Sequence, residues 1–206
     1  MSKIAILTDS SCDIPQEMAE KYNIDIMSFH ILLDDVDYVE RESCSNEEFY
    51  AKMRAAKGVP STAAITPIQF CEKYCQYVDE GYTDVIHVPI NRSGSSTYNN
   101  AVMAQGMLRE ERPEHHLKIH LIDSHTYSMP FGWYLCEMAR KLQNGAEISH
   151  VIHEFESQMN KMEIVLGPYS LRQMKKSGRI SAAAAVMGEL MGIRPIITLI
   201  DGKTKV

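Results

Sequence analysis

Three short apolar runs, each followed at once by hydroxyl and carboxylate side chains, constrain the fold of this chain more than any other feature. The runs cover residues 3–7, 85–88 and 119–122. Runs of this length and composition are typical of strands that are buried on both faces. Amphipathic segments separate them. The pattern therefore predicts an α/β fold with a mostly parallel sheet flanked by helices.

The segments between the strands carry recognisable helix-start signals. Three starts have N-capping residues at the required spacing: Asp13 before Pro15, Ser45 with Glu48, and Thr66 with Gln69. A capping side chain satisfies a backbone N–H that the first helical turn leaves without a partner. We therefore expect helices to begin at these positions. The apolar run 24–33 predicts one further strand.

The pattern of elements changes after about residue 162. Residues 163–166 and 195–199 predict strands, and 171–177 and 182–191 predict short helices. So few elements cannot bury a complete hydrophobic core. We therefore expect an N-terminal α/β domain over 1–162 and the beginning of a second, incomplete α/β domain over 163–206.

The loops after the three buried strands are the best candidates for function. They contain Thr8-Asp9-Ser10, the polar segment 91–97 and Asp123-Ser124. In an open α/β sheet, ligands bind outside the carboxyl ends of the strands. The sequence therefore predicts a site that is rich in hydroxyl groups at this edge.

Composition excludes several classes of protein. The formal net charge is −6, with 21 basic and 27 acidic residues and no basic stripe, which argues against nucleic-acid binding. No apolar run approaches the roughly 20 residues of a membrane-spanning helix. Phosphate-binding glycine loops and the G-x-S-x-G motif of serine hydrolases are absent from the sequence. We expect no nucleic acid and no integral membrane association.

The cysteines predict neither a metal site nor a disulfide framework. There are five, and no two have the C-x-x-C spacing. Cys71 and Cys75 are four positions apart. The simplest interpretation of this spacing is two buried thiols on one face of a helix. An odd number of thiols in such a chain favours a reducing cytoplasm.

Hydroxyl groups at a sheet edge favour binding over catalysis. Hydroxyls and backbone N–H groups bind a carboxylate well, but a hydroxyl needs an activating base to become a nucleophile. We therefore predict no catalytic and no metal-ligating residue. Ser95 also suits a purely structural role as a helix cap.

Two other functions remain open at this point. One is a serine-dependent esterase or acyl transferase that uses Ser95 or Ser124 with His125 or His87. The other is a protein-interaction module that binds no ligand. The incomplete second domain is consistent with this function.

Several motifs, in order along the whole chain, resemble those of the DegV family of fatty-acid-binding proteins. The matching segments are Thr8-Asp9-Ser10, Pro60-Ser61-Thr62, Ser95-Ser96-Thr97-Tyr98, Ile122-Asp123-Ser124, Lys175-Lys176-Ser177-Gly178-Arg179-Ile180-Ser181 and Ile193-Arg194-Pro195-Ile196-Ile197. Each segment alone is weak evidence for the resemblance, but the occurrence of all of them in the family's order is specific.

The resemblance implies a two-domain α/β protein that needs no cofactor and performs no chemistry of its own. It implies one long-chain fatty acid, for example palmitate, in a tunnel between the domains. The family's carboxylate contacts fall on Thr62 and Ser95, and Arg179 is expected near the ligand mouth or a partner surface. In some members the bound acid is presented to a separate fatty acid kinase, which is the partner that the resemblance implies.

Overall fold

The computed structural model describes residues 3–167, 196–200 and 202–205. The chain divides into two compact units. The first unit contains Met1–Phe29 and Ala64–Lys161, and the second contains His30–Ala63 and Met162–Val206. In this division, Lys161 and Met162 fall in different units, and residues 30–63 group with the second unit. The domain ranges 1–162 and 163–206 stay predictions.

The first unit is built on a parallel sheet with the strand order β2-β1-β6-β7. Its strands are β1 (Ile4–Asp9), β2 (Ile24–Met27), β6 (Asp84–Val88) and β7 (Lys118–Leu121). Every residue of β6 is buried, including Asp84 and His87, as expected for a central strand. The expected mostly parallel sheet with helices is confirmed.

Helices of the first unit cover the buried strands. They are α1 (Gln16–Tyr22), α3 (Pro67–Asp79), α4 (Thr97–Glu111), α5 (Met129–Gln143) and α6 (Ile148–Met159). Ala5, Leu7 and Val85 share one apolar cluster with residues of α3 and α4. The helix α5 packs against α1 and α6.

The second unit contains antiparallel sheets among its described residues. One has the order β4-β3-β5, and the other has the order β10-β9-β8. The strands are β3 (His30–Leu33), β4 (Val36–Val39), β5 (Ser61–Ala63), β8 (Ile164–Leu166), β9 (Ile197–Ile200) and β10 (Lys203–Lys205). The helix α2 (Asn46–Ala55) lies between β4 and β5 in the chain. The helices expected at 171–177 and 182–191 lie outside the described residues.

The apolar run 24–33 is two strands, not one. Ile24–Met27 pairs in parallel with β1, whereas His30–Leu33 pairs antiparallel with β4 and β5. A run of apolar residues carries no information about which distant strand it pairs with. Because His30–Leu33 pairs with β4 and β5, residues 30–63 belong to the second unit.

Two of the three expected helix caps are confirmed. Ser45 and Thr66 each accept a hydrogen bond from the backbone N–H three residues later, at 3.3 Å in both cases. Glu48 and Gln69 accept the return bond from the cap's backbone N–H at 2.9 Å. A cap of this kind stabilises a helix by about 0.5–2 kcal/mol.

The third expected cap, Asp13, is wrong. It ends a short 3-10 helix, Ser10–Cys12, in the left-handed region with φ 53°. The N-cap of α1 is instead Pro15, whose carbonyl accepts from Met18 N at 2.9 Å and Ala19 N at 3.0 Å. Because the proline ring restricts φ, the chain can enter the helix there without a capping side chain.

Among the helices of residues 3–167, none combines the length and the apolar character that crossing a bilayer requires.

Candidate functional site

Polar side chains are buried where the parallel strands of the first unit end. The fully or nearly fully buried polar residues of these loops and strand ends are Thr8, Asp9, Ser10, Asn91, Thr97, Asp123, Ser124 and Thr126. Burying a polar group is costly unless it is hydrogen-bonded. Their concentration at the edge predicted from the sequence makes this the candidate site of the first unit.

Asp9 joins the end of β1 to the loop that follows β6. Its Oδ1 accepts from the backbone N of Ser11 at 3.1 Å and from the Ser11 hydroxyl at 2.5 Å. Its Oδ2 accepts from the backbone N of Ile90 at 2.7 Å. One buried carboxylate therefore orients two of the three loops.

Replacing Asp9 with alanine is expected to lower the free energy of unfolding by about 2 kcal/mol, because the partly buried N–H groups of Ser11 and Ile90 lose their acceptor. Denaturant unfolding of the purified variant measures this. Ser11→Ala is the matched control, since it removes one hydroxyl and leaves the carboxylate in place. Equal effects of the two substitutions would show that Asp9 does not organise the loops.

Asp123 joins the loops after β6 and β7. Its Oδ1 accepts from the backbone N of Arg92 at 3.1 Å and of His125 at 3.0 Å. Its Oδ2 lies 3.8 Å from Arg92 Nε and 3.5 Å from His125 Nδ1. The Arg92 and His125 side chains are largely solvent-accessible, at 61% and 41%. The Arg92 guanidinium and the His125 imidazole therefore lie at the exposed side of the buried Asp123 carboxylate, an arrangement that sequence reasoning missed.

Ser95 lies in the loop before α4 and is partly buried. Its Oγ is 2.8 Å from Thr97 Oγ1 and accepts from the Thr97 backbone N at 3.3 Å. The N-cap residue itself, Ser96, makes no side-chain capping bond. Ser95 therefore supports the start of the helix, and this contact orients its hydroxyl.

Gly94 allows this loop to approach a tyrosine closely. A Cβ atom at this position would lie 2.0 Å from the Tyr127 hydroxyl oxygen. The same hydroxyl accepts from Asn91 Nδ2 at 3.1 Å. A glycine directly before Ser95 is thus required by the packing of the neighbouring loop.

Thr62 and Arg179 are the other two expected ligand contacts. Thr62 is the central residue of β5 in the second unit, where it pairs with Ile31 and is exposed. Arg179 lies outside the described residues.

No histidine activates the candidate nucleophiles within the described part of the chain. The Ser124 hydroxyl donates to the Thr126 carbonyl at 3.0 Å, and the Ser95 hydroxyl contacts Thr97. His87 is completely buried, with its Nδ1 2.6 Å from the Tyr74 hydroxyl, and burial lowers its pKa to about 3. Among the described residues, therefore, neither serine hydroxyl has the hydrogen bond to a histidine that would activate it.

Comparison with known proteins agrees with the resemblance found in the motifs. The model of the DegV family, described as uncharacterised proteins, matches residues 3–206. A DegV domain-containing protein from Clostridium perfringens is 30% identical over 207 residues, covering 100% of this chain and 71% of that protein.

Two solved structures share the fold over nearly the whole chain. A fatty acid binding DegV family protein from Streptococcus agalactiae matches with a TM-score of 0.85 and 26% identity, covering 99% of this chain and 70% of that one. A DegV lipid binding protein from Thermotoga maritima matches with a TM-score of 0.82 and 27% identity, covering 98% and 69%. The chain belongs to the DegV family.

Proposed function

We propose that this protein binds one long-chain fatty acid and holds its carboxylate with the hydroxyls of Thr62 and Ser95. The observation that carries the proposal is the likeness, over 99% of the chain, to the fatty acid binding protein of Streptococcus agalactiae. The hydroxyl-rich sheet edge and the absence of a histidine on Ser95 or Ser124, within the described residues, support binding without chemistry.

The two parts of the ligand would contribute differently to affinity. Burial of an acyl chain yields about 0.8 kcal/mol per methylene, so roughly a dozen methylenes give on the order of 10 kcal/mol before the costs of association. A hydrogen bond to a charged group nets about 1.5–3 kcal/mol. The acyl chain would therefore set the affinity, and the hydroxyls would set the orientation of the acid.

The proposal extends to a role for the bound acid. Held by hydroxyls and left chemically unchanged, its carboxylate is available to a separate fatty acid kinase, with Arg179 near the ligand mouth or the surface that meets this partner. Palmitate is the acid we propose to test first.

Native mass spectrometry of the purified protein is expected to show one co-purifying fatty acid. Thr62→Ala combined with Ser95→Ala is expected to weaken palmitate binding at least tenfold, about 1.4 kcal/mol, because the carboxylate loses both partners. Isothermal titration with delipidated protein measures the change.

The matched control is Ser61→Ala combined with Ser96→Ala, which removes two exposed neighbouring hydroxyls from the same strand and loop. This control is expected to keep the parent's affinity. Protein without co-purified lipid that also fails to bind palmitate would contradict the function. Unchanged affinity in the Thr62/Ser95 variant would place the carboxylate elsewhere, at Asp9-Ser10 or Ser124-His125. Labelling by a fluorophosphonate would favour an esterase instead.

A further inference from the structure

The packing of α3 on α4 brings two thiols and a carboxylate together, away from the sheet edge described above. Cys71 and Cys75 lie one turn apart on α3 and are buried, and Glu111 is the exposed last residue of α4. One ligand atom from each residue lies within 4.8 Å of the other two. Cys75 Sγ is 3.5 Å from Glu111 Oε2.

The two thiols cannot form a disulfide while α3 remains helical. Residues four apart on a helix have Cβ atoms about 5–6 Å apart. A disulfide requires the Cβ atoms to be about 3.5–4.5 Å apart. The pair is therefore poorly placed to form a disulfide. A metal ion bound between the two thiolates does not require their Cβ atoms to come so close.

One observed separation between the ligand atoms matches that of a tetrahedral metal site. With Zn–S bonds of about 2.3 Å and Zn–O bonds of about 2.0–2.2 Å, tetrahedral geometry places S and O about 3.6 Å apart and the two S atoms about 3.8 Å apart. The distance from Cys75 Sγ to Glu111 Oε2, 3.5 Å, already meets this requirement. The remaining pairs of ligand atoms lie within 4.8 Å of one another.

We propose that Cys71, Cys75 and Glu111 bind a thiophilic divalent cation of the Zn²⁺ class, with water as the fourth ligand. Two thiolates with one carboxylate suit Zn²⁺ better than hard cations such as Mg²⁺, which prefer oxygen alone. The cation would join the middle of α3 to the end of α4. Sequence reasoning assigned these thiols to packing alone, because Glu111 is 36 positions away from Cys75.

Titratable and charged groups surround the two thiols. Burial, followed by the nearby Cys75 and Glu111, raises the pKa of the Cys71 thiol to about 11, and burial together with Glu111 raises the pKa of Cys75. The other titratable and charged groups that face the thiols are Tyr74 on α3 and Arg112 after α4. Arg112 is itself 3.7 Å from Asp79.

Titration of the intact protein with Co²⁺, a spectroscopic substitute for Zn²⁺, tests the proposal. We expect one equivalent to produce the intense visible bands of tetrahedral Co²⁺ with a thiolate charge-transfer band, and Zn²⁺ to abolish both. Cys71→Ser combined with Cys75→Ser should remove the charge-transfer band. Glu111→Gln should weaken Co²⁺ binding at least tenfold while leaving the unfolding temperature of the metal-free protein unchanged.

Cys44→Ser combined with Cys136→Ser is the matched control, because it removes two thiols outside the cluster and should retain the bands. A weak octahedral spectrum in the parent would overturn the proposal. So would bands that survive the Cys71/Cys75 change or disappear in the Cys44/Cys136 control. If the Cys71/Cys75 variant does not fold, the Glu111→Gln variant, at an exposed position, provides the test. An unchanged affinity of that variant for Co²⁺ would overturn the proposal.

Discussion

Gly132→Ala is expected to lower the free energy of unfolding by about 3 kcal/mol or more, because no space exists for the added methyl group. A Cβ atom there would lie 2.2 Å from the carbonyl oxygen of Cys12 and 3.0 Å from Cγ1 of Ile14. The nearer atom belongs to the backbone, so it cannot move aside by side-chain rotation. Either α5 or the 3-10 helix after β1 must shift, and the latter carries the Ser10 and Ser11 hydroxyls of the candidate site.

Gly106→Ala provides the matched control on α4. A Cβ atom at Gly106 meets nothing within 4 Å. Alanine there should stabilise the protein by about 0.5–1 kcal/mol through the helix propensity alone. Urea unfolding of both variants should give shifts of opposite sign. A Gly132→Ala protein as stable as the parent would show that α5 does not pack against Cys12 in this way.

The protein is expected to lose stability as the pH falls below about 6.5, which is above the pH range in which carboxylates titrate. The reason is that His87 must remain neutral in the core. Burial lowers its folded-state pKa from 6.5 to about 3, so protons bind preferentially to the unfolded chain between these values. The contribution of His87 to stability is therefore complete above pH 6.5 and is lost as the pH falls towards 3. The free energy of unfolding then falls by up to about 1.4 kcal/mol for each pH unit. The total loss between about pH 7.5 and about pH 5 is about 2 kcal/mol.

Urea unfolding at a series of pH values across this window measures the slope. His87→Asn removes the titrating ring but keeps a polar group near Nδ1 for the Tyr74 hydroxyl, which lies 2.6 Å from that atom in the parent. We expect this variant to be less stable at neutral pH yet nearly independent of pH above about pH 5. His150→Gln, at an exposed position, is the control and should retain the parent's slope. A flat profile in the parent would disprove the assigned burial of a neutral His87.

These predictions separate the stability of the first unit from ligand binding. Gly132 and His87 act through the packing of α5 and the core beside α3, whereas the Thr62/Ser95 substitutions remove hydroxyls at exposed or partly exposed positions. A loss of fatty-acid binding in the Thr62/Ser95 variant without a change in unfolding would therefore support a ligand contact.

Local signals were sufficient for much of the fold. The apolar runs at 85–88 and 119–122 correspond to β6 and, shifted by one residue, β7. Short, mostly apolar runs of this kind are typical of the strands of a parallel sheet that is covered by helices. The Ser45 and Thr66 capping boxes were confirmed for a similar reason, since each bond joins residues only three positions apart. The hydroxyl-rich edge followed from strand direction alone.

Contacts between distant residues were beyond the reach of the sequence. No local pattern shows that His30–Leu33 leaves the parallel sheet to pair with β4 and β5, or that Asp9 accepts from Ile90 across 81 positions. Asp13 was mistaken for a cap because a good capping residue stood at the right spacing, while the constraint of Pro15 decided the helix start.

By itself, the sequence determined the central strands of the parallel sheet, the helix starts at Ser45 and Thr66 and the family, because these depend on residue types at short spacing or in a fixed order along the chain. Only the tertiary structure decided which strands pair, which polar groups are buried and which ligands converge. The convergence of Cys71, Cys75 and Glu111 depends on the packing of α3 against α4. Such packing is settled by interactions among many distant residues, and no short segment encodes it.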